Sequence, residues 1–189
     1  MKNLSFKVSL GGIIAALSVV FMFMTALLPI FVYVIPALCG AMLLVIAVEI
    51  SSSWAYLTYA VVSFLSLLFV PDKEAVLLYV LLMGFYPILK LRLDRIKPAV
   101  FSFLVKLIVY NVLIVAYYNL TIRIISSSTL QDDMGDFGRY GVYIFWGLTN
   151  IVFVIYDVAI KHIMTLYLEW IRKKILTFSV KKGDGKNGK

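Results

Sequence analysis

Long apolar runs alternate with short polar breaks along this chain, and the breaks set the elements. The first run covers residues 6–28 and stops at Pro29. A short apolar loop, 30–36, carries Tyr33 and leads into a second, shorter run over 37–50. Ser51, Ser52 and Ser53 read as a tight turn before a third run, 54–70, which Pro71 and Asp72 end. The fourth run, 74–91, closes at Gly84, Pro87 and the cluster Lys90, Arg92, Asp94, Arg95 and Lys97. Pro98 then opens a fifth helix over 99–125, since proline fits a first turn where its missing N–H is no loss. A polar loop, 126–139, holds Asp132, Asp133 and Asp136, and the sixth run covers 140–170. Continuous apolar runs of this length predict helices rather than strands.

Composition makes those helices membrane spans. The chain of 189 residues is 62% hydrophobic and only 15% charged. Soluble domains average about 45–50% apolar residues. Each crossing needs roughly 20 residues, so the length suits six. The expected fold is an all-α integral membrane protein with six transmembrane helices over 1–171, followed by a basic, disordered tail over 172–189. The charged start and first apolar run imitate a signal peptide. That run is too long, and five more follow, so it reads as a retained first helix.

Charge then gives direction. Lysine and arginine number 18 against 10 acidic residues, a net +8. The bases gather at Lys2, Lys7, the 90–97 cluster and the tail, all on one side of the six-helix layout. The other side has Lys73, Arg123 and Arg139, diluted by Asp72, Glu74 and the three loop aspartates. Retention of basic loops inside places both termini in the cytoplasm of a multi-pass plasma-membrane protein. The basic excess points to anionic lipid headgroups rather than nucleic acid. Cys39, the single cysteine, excludes an intrachain disulfide and a cysteine-cluster metal site, and reads as a small packing residue.

Ionisable groups at membrane depth are costly, so each is a candidate for function. Glu49, Lys90 and Lys106 lie at similar depth near the cytoplasmic end and suit an ion pair, a proton site or a partner contact. Asp157 and Lys161, four apart on the sixth helix, share a face and can pair. His162 beside them is either an interfacial residue or a proton carrier. Asn111, Asn119 and Asn150 fall inside the fifth and sixth spans, where amides either tie helices together or meet a ligand. The outer half is aromatic, with Tyr33, Tyr79, Tyr117, Tyr118, Tyr140, Tyr143 and Trp146. An interfacial belt explains aromatic residues there. A subset facing inward with Glu74, Asn119, Arg123 and Asn150 would line a pocket for a flat or amphiphilic solute. On the first helix, Gly11, Gly12, Ala15 and Ala16 form two overlapping small-xxx-small pairs, which allow close helix approach.

The chain carries no phosphate loop, zinc-binding helix pattern, serine elbow or paired carboxylates in one span. No enzyme activity, cofactor or metal is expected, and an ATP-driven step would need another subunit. The layout resembles the substrate-binding S components of bacterial energy-coupling-factor vitamin transporters. The resemblance rests on six helices, cytoplasmic ends, the small-residue stripe of helix one, and the proline-bearing segment Pro36-Ala37-Leu38-Cys39-Gly40 entering a short second helix. The turn Glu49-Ile50-Ser51-Ser52-Ser53-Trp54 departs from the Gly-Pro-x-x-Gly-like turn of many members.

The resemblance implies a subunit that captures a small vitamin-like molecule on the extracellular side. Partner ATPase subunits would drive uptake through a transmembrane coupling subunit. Gly11, Gly12, Ala15 and Ala16 would be the coupling face. Tyr33, Glu74, Tyr79, Tyr117, Asn119, Arg123, Tyr143, Trp146 and Asn150 would supply the solute site. Two alternatives stay open: a structural scaffold of MreD-like type that binds no solute, and a small proton-coupled transporter using Glu49, Asp157 or His162.

Overall fold

The computed structural model describes residues 3–27, 30–125 and 141–171. The expected acidic loop with its three aspartates, Tyr140 and the basic tail lie outside the described residues. Every element within the described residues is helical. These are α1 (Leu4–Phe23, continued by a 3-10 turn Met24–Leu27), α2 (Phe31–Glu49), α3 (Ser52–Phe69) and α4 (Lys73–Leu78). A π-helical turn, Tyr79–Met83, joins α4 to α5 (Phe85–Leu93), and α6 (Ala99–Ile125) and α7 (Gly141–Leu166) follow. They form six helical segments long and apolar enough to cross a membrane, α4, the π turn and α5 together making the fourth. The chain separates into two compact units, 1–153 and 154–189.

The apolar loop expected over 30–36 is instead the start of α2, with Pro36 inside the helix. Proline deletes one main-chain donor near the N-terminal end. The surrounding apolar residues still gain by making their remaining hydrogen bonds internally, as a bilayer demands. Tyr33 therefore stands on the first turn of a helix. At the other end of α2, the serines divide their work. Ser51 caps α3, its hydroxyl accepting from the Trp54 N–H at 3.4 Å, while Ser52 and Ser53 are already helical. Asp72 caps α4 in the same way, accepting from the Ala75 N–H at 3.1 Å. The Lys73 ammonium donates to the carbonyls of Leu67 and Val70, each at 2.8 Å, and so closes the end of α3.

The core of the first unit is drawn from its first four spans, with Met22, Cys39, Leu43, Ile46, Val62, Val76, Tyr79 and Ile88 fully or almost fully enclosed. Cys39 is a packing residue whose thiol meets the Ser18 carbonyl at 3.6 Å. Between apolar helices in lipid there is little hydrophobic driving force, so close packing and hydrogen bonds do the holding. The outward faces are apolar too: Val8, Ile13 and Val20 on α1, Phe64 and Leu68 on α3, Ile108 and Val112 on α6 are all more than half exposed. Water would not tolerate so much contiguous apolar surface, whereas lipid does.

The fourth span is the most enclosed and the least regular. At the π turn the Gly84 N–H donates to the Tyr79 carbonyl at 2.8 Å. A Cβ on Gly84 would stand 2.8 Å from the Tyr79 ring and 2.9 Å from its carbonyl oxygen, so only glycine fits there. A π turn shifts the hydrogen-bond register by one residue. Tyr59, on α3, supplies a donor to it: its hydroxyl reaches the Val80 carbonyl at 2.5 Å.

Candidate functional site

At the end of the first unit where α2 and α4 begin and α6 finishes, Glu74 meets Tyr117. The Tyr117 hydroxyl donates to Glu74 Oε1 at 3.4 Å. Glu74 is half-buried in the first turn of α4, and Tyr117 on α6 is almost wholly buried. The Tyr33 phenol is near enough to act electrostatically on Tyr117. Thr121, one turn beyond Tyr117 on the same face, is fully buried. Capping by Asp72 and the anchoring of Lys73 fix where α4 starts, and hence where Glu74 points.

The other residues expected to line a solute site make contacts of their own or are exposed. Tyr79 turns towards α3, its ring 5.9 Å from that of Tyr59. Asn119 is exposed and donates back to the Val115 carbonyl at 2.8 Å. Arg123 and Tyr143 are exposed. Trp146 and Asn150 belong to a second cluster, with Asn111. The Asn111 and Asn150 amides bond each other reciprocally, Nδ2 to Oδ1 at 3.0 and 3.3 Å. The Trp146 indole N–H donates to the same Asn111 oxygen. Each amide also donates to the carbonyl of its own preceding turn, Leu107 or Trp146, at 2.8 Å. Tyr110 adds a bond from its hydroxyl to the Thr149 carbonyl at 3.1 Å and stacks on Phe153, ring centroids 4.3 Å apart. This cluster is a clasp between α6 and the start of α7.

The opposite end of the first unit holds a charge node. Lys90 and Lys106 are both nearly buried, at 3% and 5% exposure, and both reach Asp94. Lys90 lies 3.7 Å from Asp94 Oδ2, one helical turn away, and Lys106 arrives from α6 to Oδ1. Ser102 donates to the Leu93 carbonyl at 2.7 Å, and the Arg92 guanidinium lies 5.4 Å from the centre of the Tyr56 ring. Glu49 is half-buried at the end of α2. Asp94, read from sequence only as part of the charged cluster that closes the fourth run, is the acid that both lysines reach. Its spacing from Lys90 was a usable signal, but the approach of Lys106 was not.

The small-residue stripe of α1 splits into two. Gly11 and Ala15 are buried, and a Cβ on Gly11 would meet Thr58 Oγ1 at 3.3 Å, so this pair packs α1 on α3. Gly12 and Ala16 face outward, and a Cβ on Gly12 would meet nothing within 4 Å. A groove of about 210 Å³ runs between α1 and α3, lined by Gly11, Gly12 and Ala15 with Val8, Trp54, Leu57, Thr58 and Val61. In the second unit, Asp157 is half-buried while Lys161 and His162 are exposed. His162 Nδ1 donates to the Val158 carbonyl at 2.9 Å.

Comparison of the chain with protein-family models, with curated proteins and with solved structures returned no match.

Proposed function

We propose that this chain is the membrane-embedded, solute-binding subunit of an importer, of the energy-coupling-factor S-component type. The observation that carries the reading is the division of the α1 stripe. Gly11 and Ala15 lie buried towards α3, while Gly12 and Ala16 leave an outward strip, and Gly11, Gly12 and Ala15 line an open groove. Such a strip suits the close approach of a helix from a transmembrane coupling subunit. With both termini in the cytoplasm, the Glu74–Tyr117 end faces outward, where a small vitamin-like solute would be captured. Energy would come from partner ATPase subunits.

Affinity purification from native membranes is the test. The reading requires a coupling subunit and nucleotide-binding subunits to accompany the chain. It also requires a vitamin to raise the melting temperature, since a solute at 100 times its Kd stabilises the fold by about 2.7 kcal/mol. Purification alone, with no vitamin response, would end it.

A scaffold role is the second reading. It draws support from the clasp, in which Asn111, Asn150 and Trp146 satisfy one another. Those groups then rigidify a helix pair rather than receive a solute.

A further inference from the structure

We infer that the corner between α5 and α6 holds the headgroup of an anionic phospholipid, with an acyl chain lying along the outer face of α6. This goes beyond solute binding and does not depend on it. Residues 94–98 join the fourth and fifth spans, so the corner lies at a membrane boundary. From Lys90 to Lys106 the chain has five basic residues and one acid, a net +4, and Glu49 at the end of α2 lowers this only to +3. The acid, Asp94, is turned to the two buried lysines, Lys90 and Lys106. Arg92, Arg95 and Lys97 are exposed, and no described acid pairs with them. Basic side chains beside a bilayer surface attract anionic headgroups, each by about fivefold in affinity.

The corner is held in place by its own bonds. The Asp94, Arg95 and Ile96 N–H groups donate to the carbonyls of Lys90, Arg92 and Leu93 at 2.8, 3.2 and 3.0 Å, closing α5. The Ser102 hydroxyl donates to the Leu93 carbonyl at 2.7 Å and Lys106 reaches Asp94 across the corner, which fixes where α6 starts. The Arg92 guanidinium lies 5.4 Å from the centre of the Tyr56 ring, a contact that steadies the group without cancelling its charge. Beyond the corner, Val100, Leu104 and Ile108 recur every four residues on one face of α6, and all are exposed. Lys97 stands three residues before Val100, so the basic patch runs straight into this apolar row. Orientation in the membrane asks only for basic residues at this end. A phospholipid asks for both features side by side, bases for its phosphate and a lipid-facing row for its chain.

Native mass spectrometry of the purified full-length protein in detergent micelles tests this, with palmitoyl-oleoyl phosphatidylglycerol and phosphatidylcholine added in equal amounts. The anionic lipid should be retained at least roughly 20-fold more than the zwitterionic one. Arg95→Gln combined with Lys97→Gln should reduce that preference to about fivefold or less. Lys7→Gln combined with Lys161→Gln removes the same charge from α1 and α7 and should leave the preference intact. Excess glycerol phosphate, a headgroup fragment without chains, should not displace the bound lipid. A smaller preference in the unaltered protein, or displacement by glycerol phosphate, overturns the inference. So does an undiminished preference in the Arg95 and Lys97 variant, or an equal loss in both double variants. The lipid comparison and the glycerol phosphate competition use the unaltered chain, so they decide even where a variant fails to fold.

Discussion

The hydroxyl of Tyr59, on the third span, donates to the main-chain carbonyl of Val80, in the middle of the π turn of the fourth, at 2.5 Å. The two rings beside this bond, Tyr59 and Tyr79, lie 5.9 Å apart. One side chain thus supports both the irregular backbone and its packing. Tyr59→Phe keeps the ring and deletes the donor. Equilibrium unfolding in mixed micelles should show a loss of about 1–3 kcal/mol, the cost of leaving a buried carbonyl unmatched. A change below about 0.5 kcal/mol would mean that the carbonyl finds another donor.

Asp94 is shared by two nearly buried lysines that reach it from different helices. Asp94→Asn weakens the neutralisation of both, whereas Lys106→Met removes one charge and leaves Lys90 beside its acid. Apolar replacement of a buried ion is often tolerated, but loss of its counterion is not. The aspartate variant should therefore melt lower than the methionine variant, by the equivalent of about 1–3 kcal/mol. Arg95→Gln, at an exposed position, is the control and should be near neutral. The reverse order of melting temperatures would reject the node as a stabilising feature.

The reciprocal Asn111–Asn150 amide pair is testable by a double-mutant cycle with leucine at each position. The coupling energy should fall at about 0.6–1.7 kcal/mol, the range for polar pairs between helices in lipid. Additive effects would show that the two amides act independently.

The split stripe on α1 separates folding from partnership. Gly11→Leu meets Thr58 and should lower thermal stability, with an overpacking cost of about 1–3 kcal/mol. Gly12→Leu points into open space and should leave the melting temperature within a degree or two while abolishing recovery of any coupling subunit. Retention of that subunit by the Gly12 variant would move the interface elsewhere.

Six spans were legible from the residues alone, because crossing a bilayer is a local demand. It needs a long enough apolar run, and the run of α6, opened after Pro98, lies over the expected residues 99–125. Polar punctuation was less transparent. Ser51 was expected in a turn and proves a cap, a change of one residue in what each serine bonds.

Tertiary structure decided the rest. Pro36 was expected to mark a loop, yet helix formation in an apolar setting outweighs one missing donor, and Tyr33 moves onto a helix as a result. Nothing local announces the π turn, which depends on Gly84 lying against Tyr79 and on a hydroxyl from another helix. The asparagines and tyrosines of the last two spans could be counted in sequence but not aimed. Whether an amide meets its neighbour, as Asn111 meets Asn150, or turns back on its own helix, as Asn119 does, depends on the rotation and approach of whole helices. Hydropathy sets the length of each span and leaves that rotation undetermined, so only packing between helices could separate the Glu74–Tyr117 pair from the other candidates.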